Sequence, residues 1–303
     1  EMLRSLVGSE MCIRDSVCPC HHSTLQRKAM TSRIRIEPFS LRDTLESGQF
    51  FRFTKVTDTY IVQTSGKIFK LFQRGEALFY EGVDEFFLRH FFRLEDDLDA
   101  ILRTIDRDPV IHRAIRQYKG MRLFRQDPWE CLLSFLLSSA KAIPQIRCLI
   151  ECLCRSFGEK MTWASHIGYH FPEPHCIRAS PQLESVRAGF RTNYLLQANH
   201  SMDRDSLIGL KKLPYEEARK RLMGMAGVGK KIADCVLLYS LDFLEAFPLD
   251  TWMKKGVRQY YFHGETVGEK EMEIFVKNHF GPSAGYAQLY LYHYWRNRNT
   301  LAL

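Results

Sequence analysis

Residues 221–235 have the sequence Arg-Leu-Met-Gly-Met-Ala-Gly-Val-Gly-Lys-Lys-Ile-Ala-Asp-Cys, and Phe-Pro-Leu-Asp follows at 247–250. Gly227 and Gly229 permit backbone conformations and a close approach that a Cβ atom would obstruct, while Val228 can fill the inside of a turn. The pattern predicts two helices joined by a tight turn, whose exposed N–H groups form an anion-binding site. A Gly-x-Gly turn between helices is, by itself, also typical of a simple helix C-cap.

Lys231 falls in the first turn of the second predicted helix, which extends from Lys230 to about Leu241. Its amine has to be neutral to attack carbon, and a helix start suits such a nucleophile. The helix advances by about 16 Å, and the segment from Asp242 to Leu249 can span at most about 27 Å. Asp250 can therefore return to the amine as a catalytic carboxylate. The alternatives are that the lysines only contact phosphate and that Asp250 only caps the next helix; we assign phosphate contact to Lys230.

The composition favours a globular protein with a polyanionic partner. The chain has 303 residues, a hydrophobic fraction of 45%, a formal charge of +8 and a pI near 9.0. Lysine and arginine gain affinity by releasing counterions from phosphates, although a basic surface alone does not prove nucleic-acid binding. Since no apolar run approaches the ~20 residues of a membrane span, we expect no membrane partner.

The nine cysteines are scattered, odd in number and without the rhythm of a secreted disulfide framework. Reduced thiols and an intracellular location fit best: the cytoplasm or nucleoid, or the nucleus of a eukaryote. Cys148, Cys152 and Cys154 lie in or beside an apolar run, so we predict core packing rather than metal binding. No metal or organic cofactor is expected. Residues 1–29 lack a helical or strand period and partly resemble a translated sequencing adaptor, so we expect a non-native or disordered leader.

The remaining sequence predicts an α+β fold. Short alternating segments between Arg33 and Glu81, with a turn at Ser65-Gly66, predict an antiparallel sheet. Beyond Val83 the apolar spacing becomes helical, and we predict no further strands. Asp127-Pro128 and Pro214 mark helix starts. We expect an N-terminal antiparallel β domain with flanking helices at 30–120 and a helical domain at 121–303.

Four separated motifs, in order, resemble the 8-oxoguanine DNA glycosylase/AP lyase family of the helix-hairpin-helix, Gly/Pro-Asp superfamily. They are Leu-Glu-Ser-Gly-Gln-Phe-Phe-Arg at 45–52, Arg-Leu-Phe-Arg-Gln-Asp-Pro-Trp-Glu-Cys at 122–131 with its paired serines, the glycine turn, and Gly-Pro-Ser-Ala-Gly-Tyr-Ala-Gln at 281–288. The resemblance covers the chain from about Arg35 onward. It implies a small antiparallel sheet packed on a mostly helical two-part domain that contains the helix-hairpin-helix.

The resemblance also implies roles for individual substrate-binding residues. Gly48 matches the position whose carbonyl accepts the N7 hydrogen of oxidised guanine, and Gln288 matches the amide that reads the Watson–Crick edge of the flipped base. Tyr292 and Cys235 would pack on the two faces of that base. Pro248 belongs to the loop that carries the catalytic carboxylate. Without the resemblance, Cys235 and Tyr292 could be core residues and Gly48 a turn glycine.

The predicted DNA-binding positions depart from the family in several places. Ala140 and Lys141 stand where asparagines usually fill the vacated duplex space, and Gln145 replaces an arginine that donates to the estranged cytosine. A second such arginine is retained as Arg191, after Phe190. We therefore predict a relaxed preference for cytosine opposite the lesion. The remaining predicted DNA contacts are Gly227, Val228, Gly229, Lys230 and Trp252, the last where many relatives have histidine.

The resemblance implies a bifunctional enzyme that flips out and excises 8-oxoguanine through a Schiff base on Lys231, followed by β-elimination. The expected partner is double-stranded DNA containing oxidised guanine, bound by a monomer. Two other functions remain open: a monofunctional glycosylase for alkylated purines, and a helix-hairpin-helix protein that binds DNA without catalysis.

Overall fold

The computed structural model describes residues 31–301, and side chains only as far as Arg298. The predicted leader at 1–29 lies outside these residues. Within the described range the protein combines one five-stranded antiparallel sheet with many helices, so the α+β prediction is confirmed. The predicted domain boundary at residue 120 stays a prediction.

The sheet forms where the sequence alternates between buried and exposed residues. From one edge of the sheet to the other, its strands begin at Ser32, Ala77, Lys67, Thr59 and Phe53, and Val62 is paired with Phe69. The predicted turn is confirmed, because Ser65 (φ +49°) and Gly66 (φ +70°) connect two paired strands. Two positive φ values match the twist of a two-residue hairpin. The strands are β1 Ser32–Arg35, β2 Phe53–Val56, β3 Thr59–Thr64, β4 Lys67–Arg74 and β5 Ala77–Glu81.

Helices make up most of the remainder. The first six are α1 Leu41–Glu46, α2 Glu85–Phe91, α3 Leu98–Ile105, α4 Pro109–Gln117, α5 Pro128–Ser138 and α6 Ile143–Phe157. The next four are α7 Pro181–Ser185, α8 Arg191–Ser201, α9 Arg204–Gly209 and α10 Tyr215–Met223. The last four are α11 Lys230–Ser240, α12 Thr251–Tyr261, α13 Glu269–Phe280 and α14 Ala284–Leu301. Short 3₁₀ segments lie at Leu210–Lys212 and Gly281–Ser283.

Local capping chemistry explains the predicted helix starts. The side chain of Asp127 accepts a hydrogen bond from the Glu130 amide at 2.9 Å, and Pro128 occupies the first turn of α5. Pro214 directly precedes α10, whose first turn carries two glutamates. Both starts agree with the prediction, because caps and first-turn prolines are decided by neighbouring residues alone.

Two sequence predictions were wrong. A second hairpin, β6 Lys160–Trp163 and β7 His166–Tyr169, lies beyond Val83, where no strand was predicted. Strands of four residues are too short to show a clear alternation. In addition, Cys148 is exposed rather than in the core, although Cys154 is buried. Consecutive residues of the apolar run lie on different faces of α6, so only some of them face the core.

Two apolar clusters organise the described residues. The smaller joins the sheet, α1 and α2, with Phe69 and Phe91 among its fully buried members. The larger is built around α5, α11 and α14. α11, which carries the predicted site residues Lys231 and Cys235, packs on α5. Among the described residues, no helix is long and apolar enough to cross a membrane.

Candidate active site

The glycine turn lies between α10 and α11, as predicted. Gly227 has φ +81°, and a Cβ atom there would lie 2.4 Å from the ring of Tyr194 on α8. Val228 is buried, whereas Gly229 is exposed with nothing within 4 Å of an added Cβ. One glycine of the turn is therefore required for packing, and the other leaves the backbone open to solvent.

Lys231 lies in the first turn of α11 and is half-buried. Its Nζ atom lies 3.5 Å from the hydroxyl oxygen of Ser138 and 4.8 Å from the ring centroid of Phe135. Both neighbours belong to α5. The amine is thus held against the adjacent helix at the edge of a cavity rather than extended into solvent.

Asp250 is the N-cap of α12, and its Oδ1 atom accepts a hydrogen bond from the Met253 amide at 2.8 Å. The capping interpretation is therefore correct for one carboxylate oxygen. Asp250 also lines the same cavity as Lys231. After α11 ends, the chain therefore returns the carboxylate to the cavity that Lys231 also lines, and Pro248 is part of the same lining.

The cavity has a volume of about 690 Å³. Two helices each contribute three lining residues at four-residue spacing. Residues at this spacing lie on one face of a helix. The α11 stripe is Lys231, Cys235 and Tyr239, and the α14 stripe is Gln288, Tyr292 and Arg296. The cavity lining therefore combines aromatic and aliphatic side chains with the amine of Lys231 and the amide of Gln288.

Gln288 is buried, and its side-chain orientation is held by Tyr239. The tyrosine hydroxyl donates a 3.2 Å hydrogen bond to Oε1 of Gln288. Tyr239 itself is fully enclosed, and burial raises the pKa of its hydroxyl well above the ordinary value. The hydroxyl therefore stays protonated and keeps the amide in place.

Gly48 forms another part of the wall, just after the C-terminus of α1, with φ +94°. A Cβ atom at this position would lie 2.9 Å from Nη1 of Arg296. That guanidinium donates to the carbonyl of Ser47 at 3.3 Å and to the carbonyl of Glu46 at 2.5 Å. The backbone beside Gly48 is thus fixed by a side chain of α14.

Cys235 lies within the cavity wall and is almost completely buried. Burial raises the pKa of its thiol to about 12, even though the charge of Lys231 opposes that shift. The charge of Asp250 acts in the same direction as burial. Cys235 is therefore a neutral thiol that offers an apolar, polarisable surface to a bound ring.

The rim of the cavity carries three of the predicted DNA-binding residues. Ala140 has φ +50°, a left-handed conformation that is uncommon for alanine, and Lys141 next to it is exposed. Trp252 is 51% exposed and also belongs to the lining. A cation and an aromatic ring thus lie at the entrance.

The remaining predicted DNA-binding residues do not line the cavity. Gln145 is exposed, and its side chain accepts a 3.2 Å hydrogen bond from the Ala142 amide at the start of its own helix. Arg191 is buried and donates to the carbonyls of Ser139 at 3.0 Å and Ala188 at 3.2 Å. Both side chains are engaged within the protein.

Phe190 and Lys230 occupy more exposed positions outside the cavity. Phe190 is 58% exposed, and the Arg191 guanidinium lies 4.2 Å from its ring centroid. Lys230 pairs with Glu273 at 3.1 Å. Since that acidic partner neutralises Lys230, the phosphate contact predicted for it competes with an existing ion pair.

Sequence reasoning missed several residues of this cavity. Tyr239 and Arg296 extend the two stripes by one further helical step, so their spacing from Cys235 and Tyr292 could have identified them. Phe135 and Ser138 gave no such signal, because only the packing of α5 on α11 brings them to Lys231. In the part of the chain that the structure describes, no three metal-ligating side chains cluster together.

The comparisons with known proteins identify the fold and the family. The model of the 8-oxoguanine DNA glycosylase N-terminal domain matches residues 32–132. The probable N-glycosylase/DNA lyase of Methanothermobacter thermautotrophicus is 26% identical over 71% of this chain and 75% of its own length. The N-glycosylase/DNA lyase OGG1 of Arabidopsis thaliana is 32% identical over 61% of this chain and 55% of its own length. The chain thus spans about half of that plant relative.

A solved structure extends the similarity to nearly the whole chain. It is the Clostridium acetobutylicum 8-oxoguanine glycosylase/lyase in complex with double-stranded DNA containing cytosine opposite 8-oxoguanine. That protein is 30% identical, with a TM-score of 0.82, over 89% of this chain and 98% of its own. The present chain therefore belongs to the 8-oxoguanine glycosylase/lyase family of DNA repair enzymes.

Proposed function

We propose that this protein excises 8-oxoguanine from double-stranded DNA and then cleaves the strand, with Lys231 as the nucleophile and Asp250 as the catalytic carboxylate. The observation that carries the proposal is their position in one cavity, which the buried amide of Gln288 and the aromatic ring of Tyr292 also line. The family membership and the named activities of the relatives support the same reaction. Such a cavity can be reached by a base only after the base leaves the duplex stack.

The reaction begins when the amine of Lys231 has lost a proton and attacks C1′ of the extruded nucleotide. A bond forms between Nζ and C1′, and the glycosidic electron pair leaves with the base. Asp250 stabilises the positive charge that develops on the sugar. The sugar ring then opens to a Schiff base, and O4′ takes up a proton.

Strand cleavage follows from the electron-withdrawing Schiff base. A base removes a proton from C2′, a C2′–C3′ double bond forms, and the 3′ phosphate leaves with the electron pair of its C–O bond. Hydrolysis finally frees Lys231. These steps need no bound cofactor, because the amine itself supplies the electron sink.

Recognition of the base is assigned to the cavity walls. The Gly48 carbonyl would accept the N7 hydrogen that oxidised guanine has and guanine lacks. The Gln288 amide would read the Watson–Crick edge, while Tyr292 and Cys235 contact the two faces. Each group lines the cavity described above.

Borohydride trapping on a duplex with 8-oxoguanine tests the covalent mechanism. The wild-type protein should form a reduced adduct, whereas Lys231→Gln should form none and should lose base release by at least a factor of 10³. Asp250→Asn should retain DNA binding but slow base release. Base release without any adduct would instead indicate the monofunctional glycosylase, and binding without base release would indicate the non-catalytic DNA-binding protein.

The preference for the opposite base is proposed to be relaxed. Ala140 offers only a methyl group, and Gln145 and Arg191 are held by backbone groups of the protein. Lys141, which is exposed beside Ala140, is then an available donor, and an ammonium can bind acceptors on any of the four bases. Excision rates with the lesion opposite each base should differ by less than about tenfold, and a larger preference for cytosine would contradict the proposal.

The oligomeric state and compartment remain predictions. We expect a monomer, which sedimentation of the full chain can check.

A further inference from the structure

A second, smaller cavity adjoins the active site along α12. It has a volume of about 320 Å³ and is bounded by α12 and the segment after it, including Gly264. Thr251 and Lys254 line both cavities, so the two are adjacent along one helix. The proposed reaction does not use this second cavity.

The lining of the second cavity is positively charged. It contains Lys254, Lys255 and Arg258 and no carboxylate. Lys254 pairs with Glu269, which neutralises one of the three charges. The lining thus retains an excess of two positive charges.

Neither of the other two cations has an acidic partner among the described side chains. Lys255 is exposed. One Nη atom of Arg258 donates to the Val267 carbonyl at 3.1 Å, while its Nε atom is buried with no hydrogen-bond partner. The carbonyl orients the guanidinium without neutralising it. This arrangement suits an anion with several oxygen acceptors.

The spacing along α12 fits a nucleic-acid backbone. Lys255 and Arg258 lie roughly 7.5 and 12 Å beyond Asp250 along the helix axis, at about 1.5 Å per residue. Phosphates of one DNA strand follow each other at about 3.4 Å along the duplex axis. A strand that runs along α12 from a target sugar at Asp250 would bring phosphates to these cations about two to four nucleotides away.

We propose that Lys255 and Arg258 form a phosphate subsite for the lesion-containing strand, two to four nucleotides from the flipped base. This proposal rests on the proposed function for the direction of the strand. The subsite positions DNA and takes no part in bond breaking. It accounts for two positive charges that no carboxylate in the described part of the chain neutralises.

The test measures binding to a duplex that contains tetrahydrofuran, a stable abasic analogue, so that catalysis is not needed. Lys255→Gln/Arg258→Gln should weaken binding by about tenfold at low salt. The slope of log K against log salt concentration should fall by about 2, one for each lost phosphate contact. Lys255→Gln alone breaks no contact within the protein and should reduce the slope by about 1.

The matched control is Arg113→Gln/Arg116→Gln on α4. These two exposed cations line neither cavity, so their loss should leave the slope unchanged. An unchanged slope for Lys255→Gln, or an equal effect of the control, would overturn the subsite.

A second arm locates the phosphate. A neutral methylphosphonate placed two to four nucleotides from the analogue, in the same strand, should weaken wild-type binding at the two contacted phosphates and have no further effect on the double variant. Additive losses at every position would refute the assignment, as would losses only on the other strand. Because the probe needs no excision, failure of the proposed reaction would leave this result interpretable.

Discussion

At the scale of single residues, Gly48 and Arg296 show how a small backbone feature is fixed by a distant part of the chain. Gly48 adopts φ +94°, which a side chain would strain. Arg296 fills the space where a Cβ atom would lie and donates to the two preceding carbonyls. The direction of the Gly48 carbonyl therefore depends on a guanidinium from the last helix.

Replacing Arg296 should reduce discrimination between oxidised and normal guanine. Arg296→Met removes both donors to the C-terminus of α1, so the Gly48 carbonyl loses its fixed direction. In a Lys231→Gln background, the ratio of the Kd values for guanine and 8-oxoguanine duplexes should fall about tenfold, equivalent to about 1.4 kcal/mol. Arg296→Lys should restore part of that ratio.

Arg298→Met provides the control for this experiment. Arg298 lies on the same helix and contacts the hydroxyl of Tyr294 rather than α1. Its loss should leave the ratio unchanged. If Arg296→Met weakens both duplexes equally, the guanidinium only supports packing and does not position Gly48.

Much of the site could be predicted from residues that act locally or at helical spacing. Lys231 and Cys235 lie four residues apart on one helix. The segment between α11 and Asp250 is long enough to bring Asp250 back to the helix end that carries Lys231. The roles of Gly48 and Gln288 came only from the family resemblance. Ser138 and Phe135 could not be placed beside Lys231, since that contact requires the packing angle between α5 and α11.

At the scale of elements, the turn between α10 and α11 contains two glycines with different structural roles. Gly227 makes room for the Tyr194 ring of α8, whereas Gly229 leaves its surroundings open. Sequence alone could not distinguish them, because the residue that approaches Gly227 lies on another helix. For the same reason the β6–β7 hairpin was not predicted. Its strands form by pairing with each other, and neither is long enough to show an alternating sequence pattern.

Substitution by alanine should have different effects at Gly227 and Gly229. Gly227→Ala combines a left-handed backbone with a Cβ atom 2.4 Å from Tyr194, and it should lower the free energy of unfolding by roughly 2 kcal/mol or more. Gly229→Ala should leave the midpoint of thermal unfolding nearly unchanged but weaken DNA binding, because its methyl group would meet the approaching phosphate. Equal thermal destabilisation by both variants would refute this division.

At the scale of the whole molecule, Asp242 connects segments that are far apart in sequence. Its carboxylate pairs with Arg93, accepts from Arg125 at 2.8 Å and from Lys211 at 2.7 Å, and it has φ +65°. Burial raises the pKa of Asp242, but the surrounding cations outweigh burial and hold it at about 2. The ionised form is thus favoured by the folded state.

This network predicts a pH dependence of stability. The folded pKa lies below the unfolded value near 3.9, so the contribution is complete above about pH 4 and is lost as the pH falls toward 2. Allowing for partial solvent screening, Asp242→Asn should lower the free energy of unfolding by about 1–2 kcal/mol at pH 7. Asparagine also tolerates positive φ, so backbone strain is not added.

Urea unfolding at several pH values provides the measurement. The difference between wild type and Asp242→Asn should shrink between pH 4 and pH 2. The exposed Asp58→Asn variant should show little effect at any pH. A difference that is independent of pH would mean that the carboxylate contributes packing or hydrogen bonds but no charge-dependent stability.

The buried thiol of Cys235 has a consequence for the chemical durability of the enzyme. Thiolates, rather than thiols, react with peroxides and alkylating agents, and a pKa of about 12 leaves almost no thiolate at neutral pH. The sulfur therefore reacts only slowly with peroxides and alkylating agents at neutral pH. The cavity can thus contain a soft, polarisable atom in its wall without that atom becoming a site of damage by peroxides or alkylating agents.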